Sequence, residues 1–419
     1  MSDGRHTHYA RLCLTNMLPL TLLQLAIHVG FSLAYLEQAS EQCGPAHTSQ
    51  SLLVPRCPRP LDEDAGPEPT SWSPWTHQPY CASSDYCAYT NSKFGPGISF
   101  ISTPEVSASS LDILESSVNT QSRPNNATSS LYHIADIPNK GKGVIATRPI
   151  PRGSVFMTDH AAIIAAVEFP EKMPRFQGHM LLDKAVSQLP DPQRVLSLAR
   201  SSAATDRHPI EDIMRTNAFS ITLADKPWMG LFPGISRINH ACKPNAHTRF
   251  SQQRGLSMSA VALRDIEPGE EVTISYAEFG TTYGQRQHAL LHTWGFRCTC
   301  ELCTSSSEVL VTSDKRRGRI GEIREEIVEL VRERRFGRAI EMSEEMIELV
   351  LREELVAHLG EHYEVLTRLY YAVRDREGTE RYARLAIGEL EKYGGEEVYG
   401  ATLAELREIL AGVEQLGDK

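Results

Sequence analysis

The clearest chemical signal in the sequence is a set of four cysteines in the second half of the chain. Cys298, Cys300 and Cys303 form a C-x-C-x-x-C run, and Cys242 is the only other cysteine in that half. Structural Zn²⁺ sites hold four ligands in a tetrahedron, and cysteine thiolates are common among them. The four cysteines therefore predict a zinc site that ties a later segment to one more than fifty residues upstream. Disulfides within the run are a poor alternative, because C-x-C spacing is awkward for a bridge.

Three other short segments contain residue types that could bind a ligand or carry out chemistry. Residues 239–245 read NHACKPN, and their asparagine and histidine could offer hydrogen-bond donors and acceptors at a chain crossing. Residues 269–276 read GEEVTISY and end in Tyr276, and residues 140–143 read KGKG. Glycines remove side chains where a ligand must approach the backbone. Each segment also has an ordinary interpretation: a core histidine, a buried tyrosine ring and a hairpin turn.

The elements that must position these residues are short strands followed by long helices. Apolar segments separated by Gly and Pro turns recur over residues 132–157 and 217–276, which predicts a compact, irregular β domain. Between them, residues 168–215 are expected to form a helical insert interrupted by prolines. From residue 318 the composition changes to Glu, Arg, Leu, Ile and Ala, with apolar residues at helical spacing. A tetratricopeptide-like array is one interpretation, although no clean repeat period is present.

The beginning of the chain carries a different kind of signal. No charged residue lies between Arg11 and Glu37, a pattern typical of a signal peptide or, less well, of a membrane anchor. A buried helix and a mis-assigned start are the alternatives. With a true signal, residues 126–128 would be a candidate glycosylation acceptor. The first-half cysteines would then form disulfides in one of three pairings. The four cysteines concerned are Cys43, Cys57, Cys81 and Cys87.

Length and charge narrow the class of protein. The 419 residues are enough for two or three domains, and 41% hydrophobic content is enough for a packed core. The net charge of -10 and a pI of about 5.9 argue against a general nucleic-acid binder, so no direct nucleic-acid binding is expected. A basic partner such as a lysine-rich protein tail remains compatible with this charge.

Taken together, the motifs resemble those of the SET-domain protein methyltransferases, in that family's order, from about Lys140 to Cys303. KGKG is similar to the family's N-terminal glycine turn, and NHACKPN matches its N-H-x-C-x-P-N segment. GEEVTISY matches G-E-E-x-x-x-x-Y, and the cysteine run matches the post-SET segment. The chain looks most like fungal-type SET proteins with a helical C-terminal region, distantly similar to the SET-and-MYND group. It lacks the MYND finger, because residues 168–215 contain no cysteine.

The resemblance implies an α+β fold in three parts. These are a SET domain of short β-strands (a β-clip), a zinc-binding post-SET segment and an α-helical, tetratricopeptide-like C-terminal domain. The expected divisions are a candidate signal peptide or anchor at 1–36, an irregular, partly disordered region at 37–130 with a small ordered Cys/Trp/Tyr cap at 71–105, the SET domain at 131–280, the post-SET segment at 281–305 and the helical domain at 317–419.

The resemblance also implies an activity, that of an S-adenosylmethionine-dependent protein-lysine N-methyltransferase. Tyr276 is expected to be catalytic, with its hydroxyl facing the transferring methyl group and the lysine nitrogen. Trp294 stands where the related branch often has a second active-site tyrosine, which leaves the number of methyl groups added open. The residues expected to contact the cofactor are Lys140, Gly141, Lys142, Gly143, Asn217, Asn239, His240, Tyr276, Trp294 and Phe296.

Partners and location follow from the same resemblance. The expected substrate is a lysine in a histone tail or another protein, and the expected location is the nucleus or cytoplasm. Membrane association is expected only if residues 12–36 form an anchor. The helical domain is expected to wall one side of the substrate cleft. The alternative function is that of a catalytically weak SET scaffold that binds partner proteins through the helical domain.

Overall fold

The computed structural model describes residues 72–82, 85–109, 131–200 and 207–415 of the chain. The candidate signal peptide, Cys43, Cys57 and the candidate glycosylation acceptor at residues 126–128 lie outside the described residues. In the part of the chain that is described, no helix is long and apolar enough to cross a membrane.

The described residues form thirteen strands and ten α-helices, which confirms the expected α+β class. The strands are β1 Tyr80–Cys81, β2 Cys87–Asn91, β3 Ile98–Ser102, β4 Tyr132–Ile137, β5 Gly141–Ala146, β6 Val155–His160, β7 Ile163–Ala166, β8 Phe219–Leu223, β9 Lys226–Leu231, β10 Asn239–His240, β11 Ala246–Ser251, β12 Ser257–Ala262 and β13 Glu271–Ile274. The helices are α1 Pro104–Ser109, α2 Arg175–Ser187, α3 Gln193–Leu196, α4 Pro209–Asn217, α5 Tyr283–Trp294, α6 Ser307–Arg332, α7 Phe336–Arg352, α8 Leu359–Ala372, α9 Arg376–Glu389 and α10 Glu396–Gln415.

The strands form three sheets around one apolar core. The largest has the order β1-β2-β3-β7-β9-β8, the second β10-β13-β5-β4 and the third β11-β12-β6. Helix α2 of the insert packs on β2 and β3, so the insert covers the largest sheet. The core contains fully buried aromatic rings such as Phe100, Phe156 and Phe232, which supply much of its apolar area.

The segment at residues 72–109 is part of the largest sheet and does not stand apart as a small cap. Strand β3 pairs in parallel with β7, with Ser99 opposite Ile163. The Phe100 ring lies edge-on to Trp75 and Trp228, with ring centroids 5.7 Å and 6.3 Å apart. The sequence did not predict this pairing, because strand pairing across some sixty residues leaves no local pattern. Cys81 and Cys87 are joined in a disulfide, which is compatible with one of the three pairings left open.

The second sheet brings the separated motifs together. Strand β13 lies at its centre, parallel to β10 and antiparallel to β5. In this register Asn239 faces Thr273, and His240 faces Ile274. Val272 and Ile274 are buried, so the motif strand is held by core packing as well as by its ladder. The glycine turn before β5, the histidine segment of β10 and the tyrosine after β13 are therefore neighbours in space.

Helices α6 to α10, called the helical region below, pack as consecutive antiparallel neighbours. The periodic apolar residues predicted to face a core do so: Ile320, Ile323 and Ile327 are buried with Met346 and Leu366. Helix α6 begins at Ser307, about ten residues before the expected boundary, with Ser306 as its N-cap. Its early part has no apolar pattern because its buried positions are the polar Ser313 and Arg317. Helix α5 was not predicted either.

The helical region is attached to the strands at both of its ends. Near its start, Arg317 donates to the Cys242 carbonyl oxygen over 2.9 Å. Near its end, the Arg152 guanidinium forms a 3.0 Å ion pair with Glu389, and Glu397 accepts a 2.9 Å hydrogen bond from the Gln253 backbone N–H. Between these attachments lies a cavity of about 370 Å³, called the seam cavity below.

Candidate active site and metal centre

The four cysteines of the predicted zinc site lie together, and this group is called the cysteine cluster below. Their sulfur atoms lie within 4.8 Å of one another, with Cys242 Sγ 3.5 Å from Cys303 Sγ and 3.9 Å from Cys298 Sγ. Four thiolates on one Zn²⁺, each about 2.3 Å from the ion, would lie about 3.8 Å apart in a regular tetrahedron. The number, type and spacing of these donors fit a structural zinc ion.

Helix α5 supports the cysteine cluster with two side chains that sequence reasoning missed. Arg286 is fully buried, and its Nε donates to Cys242 Sγ over 3.1 Å. Gln287 clamps the backbone of Cys298, accepting from its N–H over 3.0 Å and donating to its carbonyl oxygen over 2.8 Å. A buried guanidinium needs negative charge nearby, and thiolates supply it. No sequence pattern pointed to these residues, because the helix itself was not predicted.

Tyr276 is held at both its backbone and its hydroxyl. Its N–H donates to His240 Nδ1 over 2.9 Å, and its hydroxyl donates to the Ile238 carbonyl oxygen over 2.6 Å. Burial raises the pKa of the Tyr276 phenol, so the phenol is uncharged at neutral pH. Burial also lowers the pKa of His240 to about 4, which leaves a neutral ring that can accept at Nδ1. His240 Nε2 faces Cys242 Sγ at 3.4 Å, which links the tyrosine to the cysteine cluster.

Aromatic rings surround the phenol, and His240, Tyr276, Trp294 and Phe296 are together called the aromatic pocket below. The Trp294 ring lies 5.2 Å from that of Tyr276, and the Phe296 ring lies 6.4 Å from that of His240. The indole N–H of Trp294 donates to the Thr216 carbonyl oxygen over 3.0 Å, so it is occupied in positioning the ring. These flat apolar faces suit the stacking of a planar group.

Asn217 lies beside this pocket but its amide N–H₂ is already engaged. It donates to the carbonyl oxygens of Ala199 and Ile213 over 2.7 Å and 2.8 Å. The neighbouring Thr216 hydroxyl is buried and has no hydrogen-bond partner among the described residues.

Glu271, another residue that sequence reasoning missed, connects the glycine turn to Asn239, the neighbour of His240 in the aromatic pocket. One Glu271 oxygen accepts from Asn239 Nδ2 over 2.9 Å, and the other pairs with Lys140 Nζ at 2.6 Å. A Cβ atom on Gly143 would lie 2.8 Å from Asn239 Nδ2, so this close approach requires glycine. Lys142 instead pairs with the exposed Asp136, and the structure does not bring its side chain into the group.

Gly141 completes the turn with a backbone that only glycine adopts easily. Its φ of +73° lies in the left-handed region, and no other group lies within 4 Å of the place where a Cβ would stand. The structure therefore brings together Lys140, Gly141, Gly143, Asn239, His240, Tyr276, Trp294 and Phe296, with Asn217 at their edge.

The seam cavity lies against the chain segment that carries Tyr276. Ile274, Ser275, Ala277 and Phe279 line it from the strand side, whereas Tyr276 packs toward His240 and Trp294. Most of the remaining wall comes from β11, α6, the turn after α7 and the start of α8, and Arg286 of α5 also lines the cavity. The segment 274–279 thus borders two compartments, the aromatic pocket and the seam cavity.

Comparisons with known proteins agree with this geometry. Residues 141–277 match the family model described as the SET domain. Those residues include β5, β10 and β13 of the second sheet and Tyr276, so this segment of the chain matches the family that its motifs resemble.

Several curated proteins that the chain resembles are named as lysine N-methyltransferases. The chain is 28% identical to the histone-lysine N-methyltransferase set5 of Schizosaccharomyces pombe over 192 residues, which cover 45% of this chain and 56% of that protein. It is 33% identical to the N-lysine methyltransferase SMYD2-B of Danio rerio over 120 residues, 28% and 26% of the two chains. It is 36% identical to the histone-lysine N-methyltransferase SMYD3 of Homo sapiens over 94 residues, 22% and 21%. The matched parts thus span about half or less of each relative's length.

Proposed function

We propose that this protein is an S-adenosylmethionine-dependent protein-lysine N-methyltransferase. The observation that carries the proposal is the meeting of three distant motifs in the second sheet. Strands β5, β10 and β13 place the glycine turn, Asn239 and His240 beside Tyr276, and the cysteine cluster adjoins them. If His240 were only a core histidine and Tyr276 only a buried ring, they would not need to lie beside a glycine turn in which no Cβ fits.

The residues present fit the methyl donor. We assign the turn at Lys140 and Gly141, with Asn239, to its polar groups, and Trp294 and Phe296 to its adenine ring. The unpartnered Thr216 hydroxyl offers a further polar contact. When bound, S-adenosylmethionine supplies an electrophilic methyl group attached to a sulfonium.

Tyr276 acts in this proposal as a positioned neutral hydroxyl. Because its pKa is raised by burial, it holds its proton at neutral pH and does not act as a base. Its hydrogen bond to the Ile238 carbonyl fixes the oxygen, and the Trp294 ring excludes water from one side. The substrate lysine must be deprotonated to be nucleophilic, and an apolar aromatic site favours its neutral amine. Positioning of this amine then provides much of the acceleration.

We assign Zn²⁺ to the cysteine cluster in a structural role. All four ligand positions would be filled by thiolates, which leaves no open position for catalysis. The cluster joins the loop at Cys242 to the segment that carries Phe296, and so holds one wall of the aromatic pocket.

For the substrate we propose a lysine in a histone tail or another protein, approaching from the seam cavity. The cavity borders the residues on both sides of Tyr276, and the helical region forms its opposite wall. The names of two relatives mention histone lysine and N-lysine methylation, which supports a lysine-bearing protein substrate for this chain.

The test is methyl transfer by the full chain purified with zinc. We expect incorporation from S-adenosylmethionine into lysines of mixed core histones or a lysate, located by mass spectrometry. Tyr276→Phe should lower the rate about 10²-fold or more, since one positioned polar group is worth this much in other active sites. Tyr371→Phe, which changes an exposed tyrosine of the helical region, is the matched control and should retain wild-type activity.

Titration calorimetry separates the enzyme from the scaffold alternative. Detectable S-adenosylmethionine binding with methyl transfer supports the proposal. A folded, zinc-loaded sample that binds no S-adenosylmethionine would contradict it, and would leave the scaffold function in its place.

A further inference from the structure

The seam cavity contains a cation that pairs with no carboxylate of the described residues. Arg324 of α6 lines the cavity, with its guanidinium carbon 5.7 Å from the centre of the Phe279 ring. Among the described residues it forms no ion pair. Other cavity-lining arginines differ, because Arg286 donates to a cysteine sulfur and Arg317 pairs with Glu353 at 2.9 Å. Arg324 is therefore the cavity cation whose charge is left for a ligand.

Imidazole rings stand around the same space. His362 of α8 is 4% exposed, and its Nε2 is buried without a hydrogen-bond partner in the described part of the chain. His247 of β11 and His358 also line the cavity, with ring centroids 6.2 Å apart. Burial lowers the pKa of both His247 and His362 to about 4, so each is neutral and has one N–H to donate at neutral pH.

The carboxylates that line the cavity are already engaged. Glu361 accepts from the Tyr399 hydroxyl and lies 3.2 Å from His358 Nδ1. Burial opposes its charge, but these hydrogen bonds outweigh burial and lower its pKa to about 2. Glu354 pairs with Lys243 at 2.8 Å, and Glu278 interacts within the chain. The available groups are thus one guanidinium and imidazole N–H donors, which together suit an anion.

We propose that the seam cavity is a specificity subsite for an acidic side chain, Asp or Glu, that flanks the target lysine of the protein substrate. Arg324 neutralises the carboxylate, and His362 Nε2 donates a hydrogen bond to it. The proposal rests on the proposed function, because it takes the lysine to lie beside Tyr276. The cavity borders Ser275 and Ala277, so a substrate lysine at the phenol brings neighbouring side chains within reach of it. Its volume of about 370 Å³ accommodates a whole side chain.

Binding of labelled peptides tests the subsite without requiring methyl transfer. The probes are fluorescein-labelled 11-residue peptides of Gly, Ser and Ala around a central lysine. Each carries Glu, Gln or Lys at one of the three positions on either side. Fluorescence anisotropy with the full, zinc-loaded chain gives the affinities. At one position we expect the Glu peptide to bind about tenfold more tightly than the Gln peptide, since a hydrogen bond to a charged group is stronger than one to a neutral group.

Three variants assign the preference to its residues. Arg324→Gln should reduce the Glu-to-Gln affinity ratio to within about twofold, and Arg324→Lys should restore part of it. His362→Gln should reduce the ratio less. The matched control is Arg381→Gln, because Arg381 also lies over an aromatic ring, that of Tyr382 at 5.2 Å, but outside the cavity. It should leave the ratio unchanged.

Each outcome bears on one proposal at a time. Equal binding of Glu and Gln peptides at every position, tighter binding of the Lys series, or a ratio unchanged in Arg324→Gln would overturn the subsite. Acid-selective binding that depends on Arg324 but occurs without methyl transfer to any lysine would support the subsite and count against the methyltransferase.

Discussion

The aromatic pocket and the seam cavity border the same chain segment, residues 274–279, but are built in opposite ways. The aromatic pocket is formed by short motifs that one sheet and four cysteines bring together. Its polar groups are satisfied internally, with Tyr276 bonded to His240 and Ile238. The seam cavity is formed by two packed regions, and among the described residues its Arg324 forms no ion pair and its His362 Nε2 has no hydrogen-bond partner.

This difference in construction matches two separate tasks of an enzyme site, carrying out one reaction and selecting among substrates. A pocket with fixed, neutral groups suits a constant reaction, because positioning requires side chains that do not rearrange. A cavity with available donors suits discrimination among substrates, because an unpaired polar group is satisfied only by the matching ligand. Changes to the aromatic pocket and its cysteine cluster are therefore expected to affect zinc binding, cofactor binding and the reaction rate. Changes to the seam cavity are expected to affect the stability of the contact between the strands and the helical region, and the choice of substrate.

The largest expected effect comes from removing a cysteine of the cluster. Cys300→Ser leaves three thiolates, and we expect zinc content below one equivalent and loss of S-adenosylmethionine binding. Structural zinc contributes about 10–16 kcal/mol in small zinc domains, so even part of this is large beside ordinary protein stability. Zinc by atomic absorption and cofactor binding by calorimetry are the measurements.

The disulfide cysteines provide the control for this prediction. The double variant Cys81→Ser and Cys87→Ser should keep its full zinc content. It should lose at most about 2–4 kcal/mol of unfolding free energy, toward the low end because the loop that the disulfide closes is short. Full zinc retention in Cys300→Ser, or equal zinc loss in the disulfide variant, would contradict the assignment of the cluster as the metal centre.

Two buried arginines allow a sharper comparison, since each donates to a different atom of Cys242. Arg317 donates to the Cys242 carbonyl oxygen and to the buried Glu353, so it joins the helical region to the strands. Arg317→Met should cost at most about 3–5 kcal/mol in unfolding free energy, because the buried Glu353 loses its shortest ion pair and keeps only Arg316 and the Ser313 hydroxyl. Urea unfolding of the full chain measures this cost.

Arg286→Met should instead weaken zinc binding, because Arg286 donates to the Cys242 sulfur. A supporting residue around a metal site is worth about 10–100-fold in affinity, which competition with a chromogenic chelator would detect. Arg317→Met should change zinc affinity much less than Arg286→Met. Equal effects of the two variants on zinc would show that the two compartments are not separable in this way.

The two compartments also differ in how far the sequence predicts them. Tyr276, His240 and the cysteines stand in contiguous motifs whose chemistry is readable from residue type and spacing. Arg286 was missed because its helix, α5, has little apolar periodicity. Arg324, His247 and His362 were missed for a more general reason. They meet only when helices and strands far apart in the chain pack together, and no local pattern encodes such a contact.

The same limit applies to the fold. The apolar periodicity of Ile320, Ile323 and Ile327 predicted helices that are present, because a helix buries one face of its own sequence. The parallel pairing of β3 with β7 was not predictable, because Ser99 and Ile163 carry no signal of each other. Short-range order is thus readable, whereas the partners of each strand and the walls of the seam cavity are not.

The smallest expected effect is a pH dependence of stability that arises in the seam cavity. The pKa values of His247 and His362 fall from 6.5 to about 4 on folding, because burial disfavours the charged rings. Between pH 6.5 and 4 the unfolded chain therefore binds more protons than the folded chain, so stability falls as the pH is lowered. From pH 7.5 to 5.0 each histidine should account for about 1–2 kcal/mol. Below pH 4.5 Glu361 adds to the loss in the same direction, since its pKa is lowered to about 2.

Urea unfolding at pH 7.5 and 5.0 isolates this contribution when variants are compared. The double variant His247→Gln and His362→Gln should lose less stability on acidification than the wild type. Protonation of the cysteine cluster affects both proteins alike and cancels in the difference. The matched control changes the exposed ring pair His288 and His292 of α5 to Gln and should retain the wild-type pH dependence. If the cavity variant and this control behave alike, His247 and His362 of the seam cavity are not the source of the acid sensitivity.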